Sequence, residues 1–140
     1  MTVKVQKLKP EAIVPSYAYP GDAGLSMHAL EDAILAPGER HVFHVGWALE
    51  FDRGYVALVL DRGSVGAVHG LKTLGGVFDS NYRGEYNVCL VNLSREAYEI
   101  KKGDKIAQLV IFPCAEATVE EAVKLTKTAR GAKRFGSSGR

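Results

Sequence analysis

Short apolar runs separated by turn residues recur along most of the chain. Residues 3–8 alternate between apolar and polar positions, and turn signals such as Pro37-Gly38 and Gly75-Gly76 recur between the runs. Short strands bounded by such turns are typical of an all-β sandwich or barrel. The clearest predicted strands are residues 3–8, 41–49, 55–60, 85–93 and 105–112.

One short helix is expected late in the chain, at residues 119–125. Thr118 is a plausible N-cap there, with Glu121 three residues later. From Thr126 onward the apolar periodicity stops, and glycine and serine dominate after Arg134. The sequence therefore predicts a globular β-domain over residues 1–125 and a mobile C-terminal arm over residues 126–140.

Composition agrees with a single packed domain that carries a basic arm. The 140 residues are 46% hydrophobic and 24% charged. The arm has no acidic residue, and its basic residues are Lys127, Arg130, Lys133, Arg134 and Arg140. Such an arm suggests an anionic partner, although it could also act only in solubility. Its footprint is too small to favour nucleic acid as a partner.

The sequence contains no signal for a membrane or a secreted location. No apolar run approaches the roughly 20 residues that a membrane-spanning helix needs, and the first residues lack a secretory pattern. We therefore expect a cytoplasmic protein with no membrane partner. Cys89 and Cys114 lie in apolar, strand-like runs, which predicts buried free thiols. His41 and His44 would point to opposite faces of a strand, which argues against a transition-metal site.

The densest polar cluster lies just before a run that reads as a buried strand, Val88-Cys89-Leu90-Val91. Within seven residues the chain carries Asp79, Asn81, Tyr82, Arg83 and Glu85 around a single glycine. A plain turn would need only Asn, Asp or Gly to tolerate its backbone angles. Polar loops hold both solvent-exposed and functional residues, so the residues alone leave an ordinary turn and a functional site both open.

Two other segments combine small or polar residues with strand patterns. In LDRGSVGAVHG, residues 60–70, a turn could present backbone N–H groups, Ser64 and Arg62 to an anion, or could simply require small residues. It matches neither of the common glycine-rich phosphate motifs. Gln108 is a polar amide in an otherwise apolar strand. It could be an exposed edge residue or a buried donor aimed at a ligand.

Taken in order, five segments resemble the five motifs of the trimeric dUTP diphosphatases (dUTPases). They are DAGLSMHA, RGSVGAVHGL, GGVFDSNYRGEYNV, GDKIAQLV and RGAKRFGSSG. The resemblance implies a jelly-roll β-barrel and a homotrimer whose active sites are built from three chains. It also implies hydrolysis of dUTP to dUMP and pyrophosphate, which limits uracil incorporation into DNA and supplies dUMP.

The resemblance also implies a role for individual residues. Asp79 would be the general base that activates water, and Tyr82 would pack under the deoxyribose and exclude a 2′-hydroxyl. The hairpin backbone would read the uracil edge, Gln108 would contact the α-phosphate, and Phe135 would stack over the uracil. The remaining substrate-binding residues would be Arg62, Gly63, Ser64, Gly76, Val77, Arg130, Gly136, Ser137 and Ser138.

Magnesium is the implied cofactor, held through substrate phosphates and waters with no direct protein ligand. Ser26 stands where the family usually has an aspartate that orients a magnesium-bound water. Asp61 and Gly63 replace the proline and first serine of the second motif, and Lys133 and Arg134 replace two glycines of the fifth. These departures concern metal binding and rate.

Two alternatives to a dUTPase remain. A nucleotide-binding regulatory protein on the same fold, with weak or no turnover, would agree with Ser26 and Gly63. The related dCTP deaminases carry a catalytic glutamate in the strand after the hairpin. Residues 87–91 of this chain contain no acid, which argues against a deaminase.

Overall fold

The computed structural model describes residues 1–139 and shows an almost all-β molecule. Within these residues, eleven strands and one short helix follow one another: β1 (Lys4–Lys7), β2 (Leu25–His28), β3 (Ala33–Leu35), β4 (Arg40–His44), β5 (Trp47–Glu50), β6 (Tyr55–Leu60), the short helix (Ser64–Val68), β7 (Leu71–Leu74), β8 (Val77–Asp79), β9 (Asn87–Asn92), β10 (Tyr98–Ile100) and β11 (Lys105–Pro113). No helix in this part of the chain has the length and apolar character needed to cross a membrane.

The strands pair antiparallel and form a jelly-roll β-barrel. The largest sheet has the order β2-β11-β6-β8, and a three-stranded sheet has the order β4-β9-β7. Two ribbons, β1-β5 and β10-β3, complete the barrel. Strands distant in sequence are neighbours in space, so the chain wraps around one core. The all-β jelly-roll prediction is confirmed.

Aromatic and aliphatic side chains from all the sheets fill that core. The largest fully buried residues include Trp47, Tyr86, Phe43 and Met27. In β9 the burial alternates: Val88 and Leu90 are buried, whereas the residues between them are only partly buried. The predicted strand is thus present as β9, and only its alternate residues are fully buried, because successive side chains of a strand face opposite sides of the sheet.

Four of the five predicted strands match single observed strands to within one or two residues at each end. Residues 41–49 instead form parts of two strands, β4 and β5. Gly46 lies between them with φ +73°, and a Cβ there would come within 2.8 Å of Leu30 Cδ1. The turn thus depends on a residue without a side chain.

Two predictions about the end of the chain were wrong. Residues 119–125 are not helical, because Val119, Val123 and Leu125 are all exposed and have no core to cover. Cys114 follows the last strand and is exposed, and Cys89 is only partly buried, so neither is the buried thiol that was expected. The one short helix lies instead at Ser64–Val68.

Beyond β11, residues 114–139 are exposed throughout. Cys114 N–H still bonds to the carbonyl oxygen of Gly54 at 2.7 Å, and Arg53 pairs with Glu116. The division into a domain over 1–125 and an arm over 126–140 stays a prediction. Arg140 lies outside the described residues.

Candidate active site

The segment between β8 and β9, residues 80–86, corresponds to the predicted hairpin and follows directly on the predicted general base; β8 pairs with β6 and β9 with β4 and β7, so these two strands are not paired with each other. Asp79 is the last residue of β8, lies opposite Val56 of β6, and is exposed. Tyr82 N–H donates to the Asp79 carbonyl oxygen at 3.1 Å and closes the turn. Arg83 Nη1 donates to the carbonyl oxygens of Ser80 and Tyr82 at 2.7 and 2.9 Å. The turn therefore presents the Asp79 carboxylate to solvent from a backbone that Arg83 holds.

Gly76 sets the close approach of this segment to β6. Its φ is +89°, and a Cβ there would lie 2.8 Å from Val59 Cβ. The Gly76 carbonyl oxygen accepts a 2.8 Å hydrogen bond from Val59 N–H. Val77, next in the chain, is 67% exposed. This backbone, which is expected to recognise the uracil edge, is thus fixed against β6 on one side and exposed to solvent on the other.

A separate cleft of about 320 Å³ brings three other predicted segments together. Gly24 and Ser26 come from the first motif, Arg62, Gly63 and Ser64 from the second, and Gln108 from the fourth. The rest of its lining is Ala18, Tyr19, Asp22 and Ala23. Folding therefore joins positions that are up to about 85 residues apart in the chain.

Arg62 brings a positive charge to this cleft, whose lining also includes the carboxylate of Asp22. Its Nη1 lies 3.3 Å from Ser26 Oγ, and its Nε is buried without a hydrogen-bond partner. Among residues 1–139, no acidic side chain forms an ion pair with it. The pKa of His28 is lowered by burial and then by the positive charges of Lys105 and Arg62. A local field of this sign favours an anion in the cleft.

Gln108 is held at the floor of the cleft and is not an edge residue. β11 lies between β2 and β6, where Gln108 is opposite both Ser26 and Leu60. Its Nε2 donates to the Asp61 carbonyl oxygen at 2.8 Å. A Cβ on Gly24 would lie 2.4 Å from Gln108 Oε1, so glycine is needed for the amide to fit there.

Asp61 anchors the backbone that Gln108 touches, a role that its sequence position did not indicate. Its Oδ1 accepts hydrogen bonds from Thr73 N–H and Oγ1, both at 2.7 Å, and its Oδ2 lies 2.8 Å from Lys72 Nζ. Burial opposes the charged form, but hydrogen bonds from Lys72 and Thr73 outweigh it and lower the pKa of Asp61. The Asp61 carboxylate thus links the end of β6 to strand β7 through hydrogen bonds and an ion pair.

The predicted residues of the C-terminal arm do not line the cleft that contains Arg62 and Gln108. Phe135 is fully exposed, and Arg130, Gly136, Ser137 and Ser138 are exposed as well. Short-range bonds such as Ser137 N–H to the Arg134 carbonyl oxygen, at 3.3 Å, form local turns.

Asp79 is also separated from the cleft. Asp79 lies opposite Val56 and Gln108 lies opposite Leu60, on the two sides of β6. Four residues of strand span about 13 Å. Asp79 instead lines another cleft, of about 560 Å³, with Arg83, Arg53 and Glu116. Within one chain, the predicted base and the cleft that contains Arg62 therefore lie at different places.

Comparison with known proteins gives a consistent result over nearly the full chain. The family model described as dUTPase matches residues 10–139. A deoxyuridine 5′-triphosphate nucleotidohydrolase from Nautilia profundicola is 43% identical, with 100% of each chain covered.

Solved structures of phage proteins share the fold. A Staphylococcus bacteriophage 80alpha dUTPase with dUpNHpp has a TM-score of 0.92 and 27% identity, covering 99% of each chain. A mutant dUTPase from phage phi11 of S. aureus, described as coordinating a structural Mg(II) ion, has a TM-score of 0.83 and 24% identity, covering 91% of this chain and 100% of its own. The family match and the full-length relatives show that this chain belongs to the dUTPase family.

Proposed function

We propose that this protein hydrolyses dUTP to dUMP and pyrophosphate. The observation that carries the proposal is the convergence of Ser26, Arg62, Ser64 and Gln108 on one cleft, in a chain of the dUTPase family. A triphosphate is the anionic part of the substrate, and these residues supply the hydrogen-bond donors and the charge to hold it.

The reaction is a displacement at the α-phosphorus. The oxygen of a water molecule forms a bond to the α-phosphorus. The bond between the α-phosphorus and the α–β bridging oxygen breaks, and pyrophosphate leaves. Asp79 accepts the proton of the attacking water. An exposed carboxylate at the start of a turn fixed by backbone hydrogen bonds suits this role, because it can hold and polarise a water at a set position.

Arg62, Ser64 and Gln108 act on the phosphate chain. The Arg62 guanidinium has no carboxylate partner among the described residues, so it need not break an ion pair to bind phosphate. Gln108 Nε2 uses one hydrogen for the Asp61 carbonyl oxygen and has a second for the α-phosphate. Phosphate contacts of this kind orient the α-phosphorus for attack.

In this proposal the site is completed by more than one chain. Asp79 and Gln108 lie opposite positions of β6 that are about 13 Å apart along the strand. Arg130 and Phe135 line neither of the two clefts. We therefore propose a homotrimer in which one chain supplies the hairpin, another the cleft and another the arm. One surface suits such contacts: Val42, Cys89 and Leu74 form a cross-strand row on the sheet β4-β9-β7, with Val42 43% and Leu74 41% exposed.

The oxygen donors of the cleft fit a magnesium ion that the substrate brings with it. Within residues 1–139 no cluster of three metal-ligating side chains exists. Asp22 and Ser26 provide oxygen atoms at the cleft, and oxygen is the donor that Mg²⁺ prefers. They would accept hydrogen bonds from waters of the ion, whose chemical contribution is to neutralise charge on the phosphates.

Pyrophosphate release from each dNTP and from UTP, with and without magnesium, tests the proposal. We expect rapid release from dUTP in magnesium and little from dTTP, dCTP or UTP. Equal turnover of all substrates would show that the hairpin neither recognises uracil nor excludes a 2′-hydroxyl. The regulatory alternative predicts dUTP binding without release; the nucleotidohydrolase relatives do not favour it. We expect the enzyme to act in the cytoplasm.

A further inference from the structure

Four aromatic rings pack in a continuous stack beneath the turn of the hairpin. Phe78 and Tyr86 are parallel, with ring centroids 4.1 Å apart and planes inclined by 15°. Tyr82 contacts both, at 5.6 Å from Phe78 and 5.9 Å from Tyr86. Trp47 lies below, 5.1 Å from Tyr86. The exposed ring of Tyr82 is thus connected to the core through Phe78 of β8 and through Tyr86, which directly precedes β9.

The lower part of this stack is fixed to the barrel. Tyr86 is fully buried, its N–H donates to the Trp47 carbonyl oxygen at 3.0 Å, and its carbonyl oxygen accepts from Val45 N–H at 3.2 Å. Phe78 lies on β8 opposite Ala57, which is fully buried in β6. Offset or parallel aromatic pairs add about 0.5–1.5 kcal/mol beyond the burial of their area. The Phe78–Tyr86 pair is therefore held in a fixed position against the Tyr82 ring.

Tyr82 is confined from its other side as well. Its hydroxyl donates to the Glu85 carbonyl oxygen at 3.1 Å. A Cβ on Gly84 would lie 2.3 Å from the Tyr82 hydroxyl oxygen, so the ring lies directly over that glycine. The Gly84 backbone and the rings of Phe78 and Tyr86 thus lie around the Tyr82 ring, and 39% of Tyr82 remains exposed.

We propose that Phe78 and Tyr86 are positioning residues that set the discrimination between deoxyribose and ribose by holding the Tyr82 ring in place. The inference rests on the proposed function, in which Tyr82 packs under the sugar. A 2′-hydroxyl adds a single oxygen atom, so a ring that could withdraw slightly would admit it. Steric selection of this kind requires a side chain whose own position is locked by packing.

The test is the ratio of kcat/KM for UTP to kcat/KM for dUTP in Phe78→Leu. This substitution removes the stacked ring but keeps an apolar side chain at a partly buried position. We expect the ratio to rise by about tenfold or more, the usual scale of small steric changes in a pocket. Turnover of dUTP should fall much less than the ratio rises. A ratio within about twofold of that of the unmodified protein would overturn the inference.

A conservative pair separates positioning from folding. Tyr86→Leu should raise the ratio, and Tyr86→Phe, which keeps the ring, should restore it. Leu35→Ala creates a cavity in β3 away from the hairpin, so it should lower the melting temperature without changing the ratio. If Leu35→Ala changes the ratio as much as Phe78→Leu does, general destabilisation explains the effect and the inference fails.

A double substitution distinguishes failure of this inference from failure of the proposed function. Tyr82→Ala should itself raise the ratio, and adding Phe78→Leu to it should change the ratio little further. Fully additive effects would show that Phe78 does not act through Tyr82, and the inference would fall while hydrolysis of dUTP stands. An unmodified protein that releases no pyrophosphate from dUTP would overturn the proposed function, and this inference with it.

Discussion

Gln108 Nε2 donates a 2.8 Å hydrogen bond to the carbonyl oxygen of Asp61. Through this bond a side chain of β11 is oriented by the residue that directly follows the neighbouring strand β6. Asp61 is in turn held by Thr73 and Lys72 of β7. The orientation of the amide in the cleft therefore depends on three strands.

Asp61→Asn should loosen this arrangement and lower stability. It removes the charge that Lys72 contacts and can leave the buried Thr73 N–H without a strong acceptor. We expect the free energy of unfolding to fall by about 1–3 kcal/mol and kcat/KM for dUTP to fall with it. Denaturant unfolding and steady-state kinetics measure the two effects. In a Gln108→Ala background the kinetic effect should largely disappear; an equal effect there would contradict the coupling.

Stability should depend on pH through the same carboxylate. The pKa of Asp61 is lowered in the folded protein from its ordinary value of 3.8. Its contribution is therefore present above the unfolded pKa and is lost as pH falls through the folded value. The melting-temperature difference between the unmodified protein and Asp61→Asn should be constant near neutral pH and should shrink below about pH 4. A difference that grows in acid would contradict this assignment.

Gly24→Ala should impair the cleft without disturbing the rest of the fold. The added methyl would lie 2.4 Å from Gln108 Oε1 and 2.9 Å from Gln108 Cβ. We expect turnover to fall by about tenfold or more, because Gln108 must move from the position in which it is proposed to contact the α-phosphate. Gly38→Ala is an informative control, since nothing lies near its Cβ position and only backbone strain at φ +79° changes. Similar kinetic losses in both variants would remove the packing explanation.

Asp79→Asn should separate binding from chemistry. The substitution keeps size but removes the proton acceptor, so turnover should fall by about two or more orders of magnitude. Equilibrium binding of dUTP should remain. Asp52→Asn, an exposed acid in the turn between β5 and β6, makes the same change in net charge and should leave turnover as it is. Near-normal turnover in Asp79→Asn would exclude Asp79 from the mechanism.

Removal of the arm after Lys127 should strongly reduce activity and spare the fold. The deleted residues are exposed through Gly139, and no core residue is among them. We expect the melting temperature to change little and turnover to drop strongly, because Arg130, Phe135 and both serines are lost. Phe135→Ala should reproduce part of that loss. Unfolding of the truncated chain would show that the arm is structural and that the domain boundary was misplaced.

Ser26→Asp should lower the magnesium concentration needed for half-maximal activity. A carboxylate at this position supplies a charged acceptor for a water of the ion, and such supporting groups change metal affinity or activity by about 10- to 100-fold. The same carboxylate would face Arg62, which now contacts Ser26 Oγ. Metal-free binding of dUTP should therefore weaken. A magnesium titration identical to that of the unmodified protein would point to another acid, such as Asp22.

The sequence by itself determined the barrel and the order of its functional segments. β6 was predicted to its exact ends and β11 to within one residue, because apolar residues between turn signals have few other ways to be buried. Short strands such as β3, β8 and β10 have three residues each, too few for a period to be recognised. The helix expected at residues 119–125 failed because local capping signals cannot stabilise a helix whose apolar face finds no partner.

Only the tertiary structure decided which of these segments meet. It placed Gln108 beside Asp61, Gly24 and Arg62, and it put Asp79 at the other end of β6. It also revealed the ties from Asp61 to β7 and the stack of Phe78 on Tyr86. Strand pairing fixes these contacts between residues far apart in the chain, and local sequence preferences carry no information about which distant strand will become a neighbour.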